Sequence, residues 1–447
     1  MTHGRVLAIH DISCVGRCSL TVALPIISSV GIECSVLPTA VLSTHTGGFT
    51  GFTYRDLTED IQPIQKHWES LGLHFSGFYT GFLGSFEQID LVKELIQDLS
   101  EKGTTVYVDP VMADSGKLYS VFDESFPKGM RKLCEKADVL MPNLTELCFM
   151  LDLEYKDGPY TWDYILDIFE KSKVFGLRKI VITGVSFEVG KVGSVYMDYE
   201  TGEYGDVMRD AIEGYYHGTG DVFGSALVGA LESGISLRDS VRIAVDFTVA
   251  AIRRTYESGA DVRYGVDFEQ ELGRYQEEIR VLSKGIAFEP VMDHKAIART
   301  AGLAAKIWPE AYENLDPLLI EYMIKNFQSH DVIANYISKG YLYFLIECDG
   351  EDIGYLGMNA EKDTMFLSKI YLLKPYRGMG LFGRIVDFAS DISRRNGLKK
   401  MYLTVNRENC PAIASYKRSG FKIVGRVDKP IGQGFEMNDY IMEITLE

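Results

Sequence analysis

The sequence predicts an α/β chain of two domains: a doubly wound, mostly parallel sheet with helices on both faces, then a smaller α+β domain with a mixed, largely antiparallel sheet. Three observations predict it. Strand-like and helix-like segments alternate up to about residue 283, the signature of parallel strands covered by their own crossover helices. The 447 residues, 46% of them hydrophobic, exceed what one core ordinarily fills. After the polar helix "FEQELGRYQEEIRVLSKG" the pattern restarts, which puts the boundary between Ser283 and Glu289 and divides the chain into residues 1–284 and 285–447.

In order, the strand-like runs are "RVLAIHDIS", "CSVLPTAVL", "TTVYVDPVM" and "RKIVITGVSF". Their β-branched and apolar content suits strands buried on both faces. Between them lie helical segments such as "SFEQIDLVKELIQDLSEKG" and "SLRDSVRIAVDFTVAAIRRTYESG". A hairpin-like insert, "VGSVYMDYETGEYGDVM", interrupts the rhythm. From "IAFEPVMD" onward two helices are expected, then "GYLYFLIECDGEDIGYLGMN", where the Asp-Gly pair marks a tight hairpin. Neither an internal repeat nor a low-complexity tract is visible.

The formal net charge of −17 argues against nucleic-acid and anionic-membrane partners, which need clustered Lys and Arg. No apolar run reaches membrane-span length, and "MTHGRVLAIHD" lacks the layout of a secretion signal. The chain therefore reads as cytoplasmic. Seven cysteines (14, 18, 34, 134, 148, 348, 410) without CxxC spacing read as reduced thiols and small core residues.

Two glycine-rich helix mouths carry the chemistry. In "HGTGDVFGSALVGA" the run Gly218, Thr219, Gly220 lets backbone N–H groups converge where the helix dipole is positive, a site for phosphate oxygens. Asp221 in the same turn reads either as a helix cap or as a base that takes a proton from an attacking hydroxyl. In "MPNLTELCFML", Asn143 and Glu146 stand three apart at a helix start, suited to a hydrated Mg²⁺ on nucleotide phosphates or to a plain capping box. Thr183 and Gly184 end a strand in "ITGVSFEVG", where parallel sheets hold ligands. The absence of GxxxxGK[ST] excludes a P-loop enzyme.

With these motifs in this order, residues 1 to about 283 resemble the ribokinase-like kinases, in particular the pyridoxal/pyridoxamine kinase branch. "GTGDVFGSAL" is similar to the family's anion hole and catalytic Asp, "NLTEL" to its metal motif, and "VDPVMADSGKLY" to its strand-end Asp-Pro-Val segment. "STHTGGF" and "SGFYTGFLGSFEQ" resemble the wall around the vitamin. The resemblance implies an ATP-dependent kinase of the vitamin's hydroxymethyl group, dimerising through this half. It makes Asp221 the base, Gly218, Thr219 and Gly220 the anion hole, and Asn143 and Glu146 the organisers of Mg²⁺. It places Asp109 and Asp114 near metal and phosphates, Thr183 on ATP, and Ser13, Thr44 and His45 around the pyridine ring. Taken alone, His45 reads more readily as a structural histidine than as a ligand contact. Phe82 departs from the family's frequent Tyr, and "THTGG" from its Asn-His-Thr run. Segment 46–53 and the insert near 190–210 are candidate covers for the site. Hydroxymethylpyrimidine, with a similar ring and hydroxymethyl group, is the rival substrate.

The second mouth, "YRGMGLFGR", fits GxGxxG through Gly378, Gly380 and Gly383, so a dinucleotide fold is a rival. Against it stand the antiparallel look of "MFLSKIYLL", the lack of a ribose-binding acid after "KKMYLTVN", and Arg377 before the first glycine. Residues 285–447 instead resemble GNAT-type N-acetyltransferases, whose [QR]xxGx[GA] loop wraps the diphosphate of acetyl-CoA with backbone N–H groups. Arg377, Gly378 and Gly380 match that loop, while Phe382 departs from the usual small residue. In "LTVNRENCPAIASYKRSGFKIVG" the resemblance makes Asn406 a neighbour of the cofactor arm and Tyr416 the acid that protonates the thiolate. A packed core aromatic is the other reading of Tyr416. No base stands out, and Glu347 and Glu361 read as solvated carboxylates. Two functions follow for the chain: a bifunctional kinase and acetyltransferase acting on small molecules, or a kinase carrying a non-catalytic acetyl-CoA-binding regulatory module.

Overall fold

The computed structural model describes residues 4–313, 315–432 and 435–446. The chain divides into two compact units, Met1–Ser283 and Lys284–Glu447.

The first unit is built from β1 (Arg5–Ser13), α1 (Leu20–Ser29), β2 (Glu33–Leu42), β3 (Tyr54–Asp56), α2 (Thr58–Ser70), β4 (Gly77–Thr80), α3 (Phe86–Leu99) and β5 (Thr105–Val108). A two-residue hairpin, β6 (Ala113–Asp114) and β7 (Lys117–Leu118), leads to α4 (Phe126–Cys134), β8 (Val139–Leu140), α5 (Leu144–Met150), α6 (Trp162–Ser172) and β9 (Lys179–Val185). β10 (Lys191–Asp198), β11 (Tyr204–Asp210), α7 (Thr219–Glu232), α8 (Leu237–Ser258) and α9 (Leu272–Lys284) complete it.

Nine strands form one sheet in the order β11-β10-β9-β8-β5-β4-β1-β2-β3. The six strands from β9 to β2 run parallel, and antiparallel strands close both edges. The 192–208 insert therefore extends the sheet as β10 and β11, paired from Lys191↔Asp210 to Met197↔Tyr204. It is a wall of the fold and not a free flap. α3 shows how the helices attach: Ser85 caps it by accepting from Gln88 N (3.1 Å), and Ile89, Val92, Leu95, Ile96 and Leu99 bury one face. That face packs on Leu7, Ile9, Phe78 and Val106 of the sheet in a single core cluster.

The second unit contains β12 (Ala287–Pro290), α10 (His294–Ala311), α11 (Pro317–Phe327), α12 (His330–Ser338), β13 (Leu342–Cys348), β14 (Glu351–Glu361), β15 (Thr364–Leu372), α13 (Leu381–Arg395), β16 (Lys400–Asn406), α14 (Cys410–Arg418), β17 (Lys422–Gly432) and β18 (Phe435–Thr445). Three helices replace the expected two, because Gln328 and Ser329 leave helical geometry between α11 and α12. The hairpin between β13 and β14 turns at Asp349 and Gly350, both at positive φ (53° and 82°), as an Asp-Gly pair prefers. The sheet order is β12-β13-β14-β15-β16-β18-β17, antiparallel except between β15 and β16. This mixed sheet excludes the doubly wound dinucleotide fold that GxGxxG admitted.

Among the described residues no helix is long and apolar enough to cross a membrane. None of the seven cysteines is in a disulfide, and Cys14 and Cys410 are exposed.

Candidate active sites

In the first unit the carboxyl ends of the parallel strands meet the mouth of α7. β1 delivers Asp11 and Ser13, β5 delivers Asp109, the turn after β8 delivers Asn143, and β9 delivers Thr183 and Gly184. Thr183 bridges Asn143 in parallel and donates its N–H to Pro142 O (2.9 Å), which fixes the two segments side by side. Open α/β sheets bind ligands at such strand ends.

The mouth of α7 is held open by Gly218, its N-cap, at φ 74° and ψ 2°. A β-carbon there would lie 2.1 Å from Arg17 O, so only glycine fits. The helical ladder begins with Val222 N donating to Gly218 O (3.0 Å), which leaves the amides of Thr219, Gly220 and Asp221 ahead of it. No side chain caps this helix. Asp221 instead accepts the backbone N–H of Ser19. Burial pushes its pKa up to about 7, against the Ser19 bond, and Asp11 adds to the rise.

Asp11 escaped the sequence reading. It is 5% exposed and accepts from Ser19 Oγ (2.6 Å) and Ser13 Oγ (3.3 Å), and burial raises its pKa. The one available signal was a carboxylate inside the apolar run "RVLAIHDIS". The same bond shows that the hydroxyl of Ser13, which is fully buried, is engaged with Asp11.

Asn143 and Glu146 form the capping box: Glu146 N donates to Asn143 Oδ1 (2.9 Å) and Asn143 N donates to Glu146 Oε2 (2.9 Å). Met112 N also donates to Glu146 Oε1 (3.1 Å), and Asn143 Nδ2 donates to Ala113 O (2.8 Å). Burial pushes the Glu146 pKa up to about 8, against these amide bonds. Asp109 is pushed well above the carboxylate range, first by burial and then by the charges of Glu146 and Asp221. The negative charge that Glu146 and Asp221 bring to Asp109 makes this a place where a cation would be favoured. Among the described residues no group of three His, Cys, Asp or Glu side chains forms a metal cage. Mg²⁺ tolerates that, since it keeps several waters and takes phosphate oxygens. Asp114 accepts from the Tyr215 hydroxyl at 3.4 Å.

His45 is 8% exposed and both ring nitrogens are committed. Gly47 N donates to Nδ1 (3.1 Å), so Nε2 carries the proton and donates to Arg263 O (2.6 Å). A ring contact from His45 is thus limited to its face and edge. Its neighbours are Phe49 and His217, at 5.1 and 5.2 Å between centroids. Segment 46–53 lies over the site: a β-carbon on Gly47 would meet His217 at 2.6 Å, and Phe49 packs edge-on to Tyr264. Thr44 is half-buried beside it, and Phe82 faces Phe122 at 5.5 Å. A cavity of about 220 Å³ adjoins Thr219, lined among others by Val192, Asp210, Tyr215, Tyr216 and Ile252.

In the second unit β15 and β16 pair over three residues, Thr364↔Lys400 to Phe366↔Tyr402, and then part. The loop after β15 places Gly378 (φ 80°) and then Gly380 (φ 74°, ψ 3°), the N-cap of α13. The two helix mouths of the chain thus share one backbone conformation. Arg377 is tied down, with Nε donating to Leu372 O (2.9 Å) and Nη2 lying 3.6 Å from Glu310 Oε2. Asn406, exposed at the end of β16, accepts from Glu408 N (2.8 Å). Tyr416 is partly buried, 5.0 Å from the ring of Phe382, and burial pushes its pKa up to about 12. The unusual Phe382 therefore packs on the proposed acid. Glu347 corrects its reading as a solvated carboxylate: Arg299 Nη2 holds it at 2.6 Å and also pairs Asp352, while Nη1 pairs Glu289. Glu361 accepts from the Tyr402 hydroxyl (2.8 Å).

Comparison with known proteins follows the same division. The family model described as phosphomethylpyrimidine kinase matches residues 26–265, and that of the acetyltransferase (GNAT) family matches residues 307–421. A pyridoxal kinase of Dictyostelium discoideum is 26% identical over 240 residues, half of this chain and 77% of its own length. A crystal structure from Bacteroides thetaiotaomicron, assigned as a phosphomethylpyrimidine kinase and solved in a form with pyridoxal, is 37% identical at a TM-score of 0.59. It covers 63% of this chain and 98% of that one. An uncharacterized N-acetyltransferase of Mycobacterium tuberculosis is 33% identical over 95 residues, 21% of this chain and 60% of that protein.

Proposed function

We propose, for a chain that belongs to the phosphomethylpyrimidine kinase family and carries a C-terminal GNAT acetyltransferase domain, that the first unit phosphorylates the hydroxymethyl group of vitamin B6 from ATP. The observation that carries this is Asp221: a carboxylate in the first turn of α7, bonded to Ser19 and beside amides kept ahead of the helical ladder by Gly218. The substrate's hydroxymethyl oxygen attacks the γ-phosphorus in line, the new O–P bond forms as the bond to ADP breaks, and Asp221 takes the hydroxyl proton. The amides of Thr219 and Gly220 face the charge on the transferred group. Bound Mg²⁺ supplies charge neutralisation on the phosphates, and Asp109, Asn143 and Glu146 would hold it through its water shell. The cavity beside Thr219 suits the rest of the nucleotide, and Asp114 and Thr183 would meet its phosphates.

Pyridoxal and pyridoxine kinases among the curated relatives, and the Bacteroides structure with pyridoxal, support a B6 vitamer over a pyrimidine. Side-by-side turnover of pyridoxal, pyridoxamine, pyridoxine and hydroxymethylpyrimidine tests this. A kcat/KM highest for the pyrimidine overturns it.

For the second unit we propose acetyl transfer from acetyl-CoA to an amine, with Gly378 and Gly380 amides on the diphosphate, Arg377 bracing the loop, Asn406 beside the cofactor arm, and Tyr416 protonating the thiolate. The free thiols suit the reducing cytoplasm. A homodimer through the first unit completes the proposal.

A further inference from the structure

An acetyltransferase of amines needs a group to take a proton from the acceptor, and within the residues matched by the acetyltransferase family, 307–421, the sequence marks no carboxylate for that part. One lies outside them. Asp439 of β18 stands in register opposite Asn406 of β16, at the end where β15 and β16 have parted. It is 3% exposed. Alternation puts Thr404 and Asn406 on the same sheet face as Asp439, and the Thr404 hydroxyl bonds to it. Arg407, the basic side chain that bears on Asp439, is itself committed to Asp428 (2.7 Å).

Hydroxyls complete the neighbourhood. Tyr312 of α10 and Tyr371 of β15 share a hydrogen bond of 2.9 Å between their hydroxyls. Tyr312 feels the charge of Asp439 on one side and bears on Tyr416 on the other, and Tyr371 also feels Tyr416. A carboxylate and the proposed acid thus bear on one pair of half-buried phenols near the strand gap. Burial raises the Asp439 pKa, and the Thr404 hydroxyl and the charge of Arg407 offset only part of that rise.

Resting on the acetyltransferase reading of this unit, we propose that Asp439 is the general base that takes the first proton from the ammonium of a primary amine. The freed amine attacks the thioester carbonyl, so that the C–N bond forms and the C–S bond breaks. Tyr416 gives its proton to the departing thiolate, and the second proton on nitrogen restores the phenol. Asp439 returns its proton to solvent, and atoms and charge balance.

The test uses the full chain with acetyl-CoA and pyridoxamine, spermidine, phenethylamine and lysinamide as acceptors, reading thiol release. With the best acceptor, Asp439→Asn is expected to lower kcat about 100-fold and to abolish the acid limb of the pH profile, while acetyl-CoA affinity by calorimetry is retained. Asp439→Glu should restore part of the rate, which a merely structural carboxylate would not do through the pH profile. An Asp439→Asn variant within threefold of the parent, with the acid limb intact, overturns the inference and leaves the acetyltransferase reading standing. Loss of acetyl-CoA affinity together with the rate, unrescued by Glu, also overturns it, since the role is then structural. A parent that acetylates none of the four amines overturns both.

Discussion

The carbonyl oxygen of Arg17 occupies the place where a β-carbon on Gly218 would stand, 2.1 Å away, so the loop after β1 is pressed against the mouth of α7. Gly218→Ala must move one of them and also holds Ala at φ 74°. The expected cost is ~2–4 kcal/mol of stability, together with loss of phosphoryl transfer by at least ~100-fold. Urea denaturation and initial rates check both. A variant with parental stability and turnover would mean that the two segments are not in contact.

Asp221→Asn should cut kinase turnover by about 10²- to 10⁴-fold and leave acetyl transfer untouched. The same change should stabilise the fold. The carboxyl's pKa is raised from 3.8 to about 7, so the folded state keeps a proton that the unfolded state has lost. The destabilisation grows as pH rises from about 4 to 7 and is full above 7. At pH 8 the variant should gain ~1–2 kcal/mol, less than the full linkage because Asp221 is partly open to water, and nothing at pH 4. Equal melting curves at both pH values would contradict the burial argument.

Kinase kcat/KM should fall on the acid side of about pH 7, where Asp221 takes up its proton and stops being a base. The limb should vanish in the residual activity of Asp221→Asn. A limb that survives unchanged there belongs to another group.

Asn143→Ala removes the cap bond from Glu146 N and the bond to Ala113 O. Stability should drop by ~1–2 kcal/mol, and the Mg²⁺ concentration for half-maximal kinase rate should rise. If only stability changes, the pair is a helix cap and nothing more.

Tyr416→Phe should slow thiol release by about 10- to 100-fold without changing kinase turnover. An unchanged rate would assign Tyr416 to packing against Phe382 alone.

Much of this architecture was legible in the sequence because local chemistry fixes it. The βα rhythm foretold the parallel sheet, Asp349-Gly350 the tight hairpin, and the spacing of Gly218 and Gly380 both helix mouths. What was not legible depends on partners far along the chain. That Arg263, 218 residues from His45, holds its second nitrogen and leaves only the ring's face and edge for a ligand is visible only in the fold. Asp11 was hidden by the apolar strand around it, and its role depends on Ser19 and Asp221 closing over it. The 192–208 insert read as an interruption because pairing with β9 is a register match that no single segment reveals. Asp439 had no motif; only its alignment with Asn406 gives it a place.

The parting of β15 from β16 after Phe366 and Tyr402 ends their ladder in the middle of the sheet and opens a gap beside a row of main-chain donors and acceptors. An extended molecule that carries its own amides can fill the row, and it can do so only while the sheet exists. Such a molecule raises the melting temperature of this half in proportion to the logarithm of its concentration. A thermal-shift survey of thioesters, with no knowledge of the acceptor, would therefore rank the donors proposed for this gap.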